Sequence, residues 1–238
     1  MNPIKQKIET INSDHQLTFD EKQHRYNIKN KNLISTTQLI KKYFPFDSKK
    51  VARQIAEKKW TSEEEILQEW QQIMNEGKYT HELIERYLKQ EKLNSDEQKR
   101  IEKIISYIKE NNIKPISIEQ KIFSKEHGIA GTIDLICEIN RKVYLIDWKT
   151  NRKNILKKEY FELANRPLEN IPNNNFYKYS LQLSIYKYIL QKQYNIDAYD
   201  TKIIHLINGE TQEIDVLDMT EETLQILKNE NGTQTKNI

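Results

Sequence analysis

Asp134, Asp147 and Lys149 are the residues whose types and spacing can do chemistry. Asn140-Arg141 between them reads as a two-residue turn, so 139 faces 142 and the register carries Asp134 opposite Asp147. Opposed side chains on an antiparallel pair lie about 4.5 to 5.5 Å apart at Cβ, and alternation puts Lys149 on the face of Asp147. Two like charges held that close among apolar neighbours call for a compensating cation. Carboxylate donors suit a hard divalent ion, Mg²⁺ or Mn²⁺, which keeps positions open for substrate oxygens. Beside it, the Lys149 ammonium would steady a phosphate or an attacking hydroxide. The same residues also serve as strand-end caps with Lys149 paired to one of them, and the spacing keeps both roles open.

The elements that must hold these groups follow from periodicity and punctuation. Residues 16–19 and 24–28 alternate like two short strands around a polar turn, and Ser35 with Gln38 forms a capping box opening a helix to about residue 43. Asp47 or Ser48 caps a second helix to 60. Ser62 with Glu65 caps a third running toward 90, with Gly77 as an interruption, and Ser95 with Gln98 a fourth ending near 112. Pro115 changes the period: 116–123, 129–139 and 142–148 are β-rich, divided by His127-Gly128 and Asn140-Arg141. Residues 151–175, with Pro167 and Pro172, form a long irregular connection. A helix returns over 176–193, a hairpin over 201–217 turns at Asn208-Gly209, and a last helix starts near Thr220 before a frayed tail. This order predicts an α/β fold.

A chain of 238 residues with 37% hydrophobic side chains can bury a substantial core, and five Gly with five Pro exclude collagen-like and disordered classes. The lone Cys137 excludes an internal disulfide and any four-cysteine zinc or iron-sulfur site, and points to a reducing compartment. No uncharged apolar run approaches the roughly 18 residues of a membrane span, and residues 1–15 lack a signal-peptide pattern. No membrane partner and a cytoplasmic location are therefore expected. The net charge of +3 is too small to argue for nucleic acid by itself. Its distribution says more, since 41–60 and 141–160 are basic and 209–230 is acidic. The run Lys149, Arg152, Lys153, Lys157 and Lys158 leaves the aspartate hairpin directly, placing phosphate-tracking charge beside the metal. Trp60 and Trp70 lie on amphipathic helices and are expected to pack inward.

Asp134, the hairpin and Asp147-Trp148-Lys149 resemble the motif of the PD-(D/E)XK nuclease superfamily, an Asp followed by an acidic residue, any residue and Lys. Residues 77–85 with His81 resemble the helical histidine motif of the RecB-type branch, and Gln182 with Tyr186 matches its Gln-x-x-x-Tyr. The likeness spans about 77–190. Ser35-Thr36-Thr37 after the first hairpin is more loosely similar to phage-encoded exonucleases, and Asp-Trp-Lys as last motif to mitochondrial genome maintenance exonucleases.

The resemblance implies a central mixed β-sheet flanked by helices, restriction-endonuclease-like, with an N-terminal helical region covering the active face. Residues 1–238 would form a single nuclease domain: hairpin and helical region over 1–112, sheet core over 113–220, helix and tail over 221–238. It implies metal ligation by His81, Asp134, Asp147 and the main-chain carbonyl of Trp148, with Lys149 and the two aspartates catalytic. Gln182 and Tyr186 would touch the substrate strand, joined on charge by Arg152 and Lys153. Glu85, one turn from His81, and Glu119, in the strand before Asp134, are expected to support the ligands. Lacking four cysteines, the chain should hold no iron-sulfur cluster. The implied reaction is Mg²⁺- or Mn²⁺-dependent exonucleolytic hydrolysis of DNA, on single strands or frayed ends, in recombination, repair or replication. A structure-specific or nicking endonuclease of the same fold and an inactive nucleic-acid-binding module are the alternatives, and oligomeric state is left open.

Overall fold

The Asn2 side chain accepts the Ile4 amide with Pro3 beside it, opening a helix absent from the sequence reading, α1 (Pro3–Asp14). Ile8 is fully buried on its inner face, and Asn12 ties the helix down by donating to the Lys121 carbonyl and accepting from the Tyr194 hydroxyl. The computed structural model describes residues 2–156 and 162–234, with side chains described as far as 230. The basic residues Lys157 and Lys158 lie outside the described residues.

Three strands follow where two were expected: β1 (Thr18–Asp20), β2 (Arg25–Ile28) and β3 (Lys31–Ser35), an antiparallel meander. Its second turn runs through Lys29 and Asn30, both left-handed, and Lys29 is no turn signal. The Ser35–Gln38 capping box opens α2 (Thr36–Tyr43), and α3 (Ser48–Lys59) and α4 (Glu63–Leu88) follow. Gly77 does not interrupt α4. It is needed where the helix crosses the chain just beyond a strand, because a Cβ there would stand 2.7 Å from Thr150 Oγ1. The single helix expected over 95–112 is two, α5 (Ser95–Arg100), capped by Asn94 with Glu97, and α6 (Glu102–Glu110). They part at Ile101, which is fully buried.

Strands β4 (Lys114–Ser124), β5 (Ile129–Ile139) and β6 (Lys142–Lys149) are antiparallel. Helix α7 (Asn175–Tyr194), strands β7 (Asp200–Ile207) and β8 (Glu210–Asp215) and helix α8 (Thr220–Gln234) follow. Because β7 pairs with β6 in parallel, the eight-stranded sheet is mixed, with helices on both faces as expected. One face is covered by α1, α2, α7 and α8 through Ile8, Leu39, Leu181 and Ile226, the other by α4 and α6 through Leu83, Ile84 and Ile104. Each such buried side chain contributes about 1.5–3 kcal/mol. No helix among the described residues is long and apolar enough to cross a membrane.

The sheet forks at β5. One edge carries β4. The other is shared, with β3 parallel to Ile129 and Ala130 and β6 antiparallel to residues 135–139. Residues 131–134 fall between those two ladders. Neighbouring groups fill the gap: Thr36 Oγ1 donates to the Ala130 carbonyl at 3.1 Å, and the Trp148 amide donates to Asp134 Oδ2 at 2.9 Å. The β5–β6 register is the one the Asn140-Arg141 turn dictates, Ile139 opposite Lys142 to Leu135 opposite Ile146. The ladder ends one pair short of Asp134 and Asp147, because the Asp134 side chain takes the Trp148 amide.

Tyr186 lies against this gap, nearly fully buried, and a Cβ on Gly131 would stand 2.4 Å from its ring. Gly131→Ala should therefore destabilise the protein by about 1–3 kcal/mol through overpacking. Urea unfolding measures this, and a variant as stable as the parent would show that the ring can move aside.

Candidate functional site

A cleft of ≈ 690 Å³ opens over the gap in β5, with α4 on one wall and α7 on another. His81 lies one turn beyond Gly77, so the close crossing that the glycine permits brings its imidazole down to the sheet. His81 Nδ1 stands 3.5 Å from Asp134 Oδ2. Glu119 arrives differently. It has φ +48° in the middle of β4, a left-handed backbone that a residue with a Cβ keeps only where its surroundings compensate. The ladder pairs Ile118 with Leu135 and Gln120 with Ile133, leaving Glu119 and Asp134 out of it. One ligand atom from each of His81, Glu119 and Asp134 lies within 4.8 Å of the others. Burial, then the charges of Asp134 and Glu85, push the Glu119 carboxyl up to about 8.

Behind this trio stands Asp147, only 3% exposed. Lys149 Nζ forms a close ion pair with its Oδ2. Burial raises the Asp147 carboxyl above its ordinary value; the Lys149 ammonium opposes this, and the Asp134 charge adds to it. Burial alone would lower the Lys149 pKa, but the Asp147 and Asp134 carboxylates outweigh it and hold the ammonium above the usual lysine value. Lys149 Nζ also sits 4.5 Å from the centre of the Tyr179 ring, whose hydroxyl donates to Asn151 Oδ1 at 3.1 Å. His205 Nε2 bonds the Asn151 carbonyl at 2.8 Å, and Gln182 Nε2 donates to the Tyr186 hydroxyl at 3.1 Å.

These donors fit a hard divalent cation. They are carboxylates and an imidazole, and they crowd together at a cost in mutual repulsion. Cys137 is buried in the core of the opposite face.

The structure brings His81, Glu119, Asp134, Asp147, Lys149, Gln182 and Tyr186 to one place. Glu119 stands beside His81 and Asp134 instead of behind them. Glu85 borders the cleft but pairs with Lys89 one turn on instead of orienting His81. The Trp148 side chain is buried on the far face, while its amide serves Asp134. Arg152 and Lys153 do not line the cleft: the chain leaving β6 passes α4 at Gly77, so Arg152 emerges beyond the helix and pairs with Glu76 at 3.0 Å. The basic run over 41–60 is partly neutralised, Lys42 by Glu230, Arg53 by Glu63 and Lys59 by Glu69. Trp60 does not pack inward. It is 96% exposed in the left-handed cap ending α3, whereas Trp70 is half-buried beside Phe46.

Sequence reasoning missed Tyr179, Asn151 and His205. Tyr179, three residues before Gln182 on one helix, carried a readable signal, but His205 faces Lys149 only through the parallel pairing of β6 with β7.

Comparison with known proteins finds one family. The model of the PD-(D/E)XK nuclease superfamily matches residues 39–232. No curated protein matches. Among solved structures, the protein SSO0001 is similar with 17% identity and a TM-score of 0.40, over 97% of this chain and 84% of that one. A candidate exonuclease from Eubacterium rectale is similar with 12% identity and a TM-score of 0.40, over 66% of this chain and 68% of the other.

The raised carboxyls set a pH dependence. Between the ordinary Glu value of 4.5 and about 8, folded Glu119 holds a proton that the unfolded chain has released. Metal-free stability should therefore fall as pH rises through that interval, with Asp147 acting in the same direction. A divalent ion that binds the ionised cluster offsets the loss. Thermal melts in EDTA and in Mg²⁺ should show a Tm gap that widens with pH, and Glu119→Gln should flatten the EDTA curve.

Proposed function

Because the chain belongs to the PD-(D/E)XK nuclease superfamily and is thereby a nuclease, we propose that it is a metal-dependent DNA exonuclease acting on single-stranded or frayed ends. Support comes above all from the convergence of His81, Glu119 and Asp134 within 4.8 Å, with Asp147 and Lys149 directly behind. Residues 1–112 and 113–220 act as one nuclease unit, since His81 belongs to the first and Asp134 to the second. A cleft of ≈ 690 Å³ falls in the range that takes a ligand of drug size, which suits a nucleotide or two of one strand better than a stacked duplex.

His81, Glu119, Asp134 and Asp147, with the main-chain carbonyl of Trp148, would hold Mg²⁺ or Mn²⁺. The chemistry that such an ion supplies is Lewis acidity toward phosphoryl oxygens and a more acidic water. Lys149 is kept protonated by Asp147 and Asp134 and presents its charge where negative charge grows during in-line displacement. Tyr179 keeps that ammonium over its ring, while Gln182, braced on Tyr186, offers polar contacts to the strand. No covalent intermediate is required. A role in recombination, repair or replication, within the RecB-type branch and near its phage members, follows from the motif resemblance.

End-labelled single-stranded, duplex and circular DNA incubated with Mg²⁺ test this. Linear DNA should shorten from its ends, circles should persist, and EDTA should abolish activity. Asp134→Asn, Asp147→Asn and Lys149→Ala should each lower kcat by about 10²–10³. Cut circles would move the assignment to an endonuclease, and an Asp147→Asn chain as active as the parent would overturn the site.

A further inference from the structure

We propose that α4 divides the two strands of a frayed DNA end, and that a basic groove on its outer side holds the strand that is not cut. The proposal rests on the nuclease reading above and adds a second site to it.

Two cavities flank α4. The first is the cleft already described, lined by five carboxylates against two lysines. The second, ≈ 390 Å³, is lined by Lys99, Arg100, Lys103 and Arg152 against Glu76 and Glu102. Its charge is thus opposite in sign. Arg100 is anchored, donating to Thr80 Oγ1 and to the Glu76 carbonyl, each at 3.1 Å. Arg152 is held by Glu76 and Lys103 by Glu210, both at 3.0 Å, while Lys99 stands exposed. A groove of this sign has no use for the metal and suits a phosphate backbone, where Lys and Arg displace condensed counterions.

The helix and the chain leaving β6 meet closely between the two cavities. Ile73, Gly77 and Thr150 line both, and where the helix crosses the chain a Cβ on Gly77 would stand 2.7 Å from Thr150 Oγ1. In the proposed arrangement a strand seated in the cleft therefore stays on that side of α4. With one strand confined to the acidic side, the basic side is free for the other, and the helix between them acts as a wedge at the point of fraying.

Binding is measured on an Asp147→Asn background, which blocks cleavage, using labelled forked DNA and the single strand of the same sequence. The forked DNA should bind more tightly. Adding Lys99→Glu with Lys103→Glu should weaken fork binding on the order of tenfold and flatten the dependence of log K on log salt by about two, with single-strand affinity unchanged. Glu102→Gln should move fork affinity the other way. On the native background, the lysine pair should leave single-strand cleavage at the parental rate. Equal weakening on both substrates would show one strand tracking both cavities and overturn the proposal, as would an absence of fork preference or unchanged fork affinity. If melting shows the lysine double variant to be unfolded, Glu102→Gln decides alone: stronger fork binding supports the wedge, unchanged binding rejects it. A parent chain that cleaves no DNA in Mg²⁺ would instead refute the nuclease reading, while the fork preference is scored separately.

Discussion

Carboxylates that repel one another are held together by a sheet that cannot relax, and the rest of the site is arranged around that conflict. Glu119, Asp134 and Asp147 come from three neighbouring strands, so separating them would mean breaking ladders that also carry the core. Lys149 relieves part of the repulsion through its ion pair with Asp147. The remainder appears as proton affinity: burial and the neighbouring charges push the Glu119 carboxyl up to about 8, and the Asp147 carboxyl is raised as well. Carboxyls whose proton affinity is raised by burial and by one another are suited to exchange protons for a hard cation.

Two glycines set how closely the surrounding helices approach. At Gly77, α4 descends against Thr150, which lowers His81 toward Asp134 and also separates the cleft from the basic groove. At Gly131, the missing side chain leaves room for Tyr186, and Tyr186 in turn braces Gln182. Both positions act through absent volume. A methyl group at either one would meet a packed side chain, Thr150 at Gly77 and Tyr186 at Gly131, which would have to shift.

The lysine is positioned by longer connections. Tyr179 supplies a ring to its ammonium, Asn151 holds the tyrosine hydroxyl, and His205 holds Asn151 from the next strand. These groups belong to α7, the chain following β6, and β7. The parallel pairing of β6 with β7 thus fixes the orientation of the ammonium as well as the shape of the sheet.

What could be read from the sequence depended on bonds made within a few residues. The Asn140-Arg141 turn dictates the β5–β6 register, Ser35 with Gln38 declares the start of α2, and the spacing of Asp134, Asp147 and Lys149 places two acids and a base at one end of a hairpin. Asn2-Pro3 was an equally local start signal for α1, obscured by the polar composition of that helix. Tertiary structure alone decided what depends on residues far apart in the chain. Pairing of β3 with β5 opens the gap at 131–134; a left-handed backbone at Glu119 accompanies the approach of its carboxylate to His81 and Asp134; and the crossing at Gly77 sends Arg152 to the far side of α4. The physical reason is range. Turns and caps are settled by the hydrogen bonds of neighbouring residues, whereas the side of a helix on which a later segment emerges is settled by how whole elements pack.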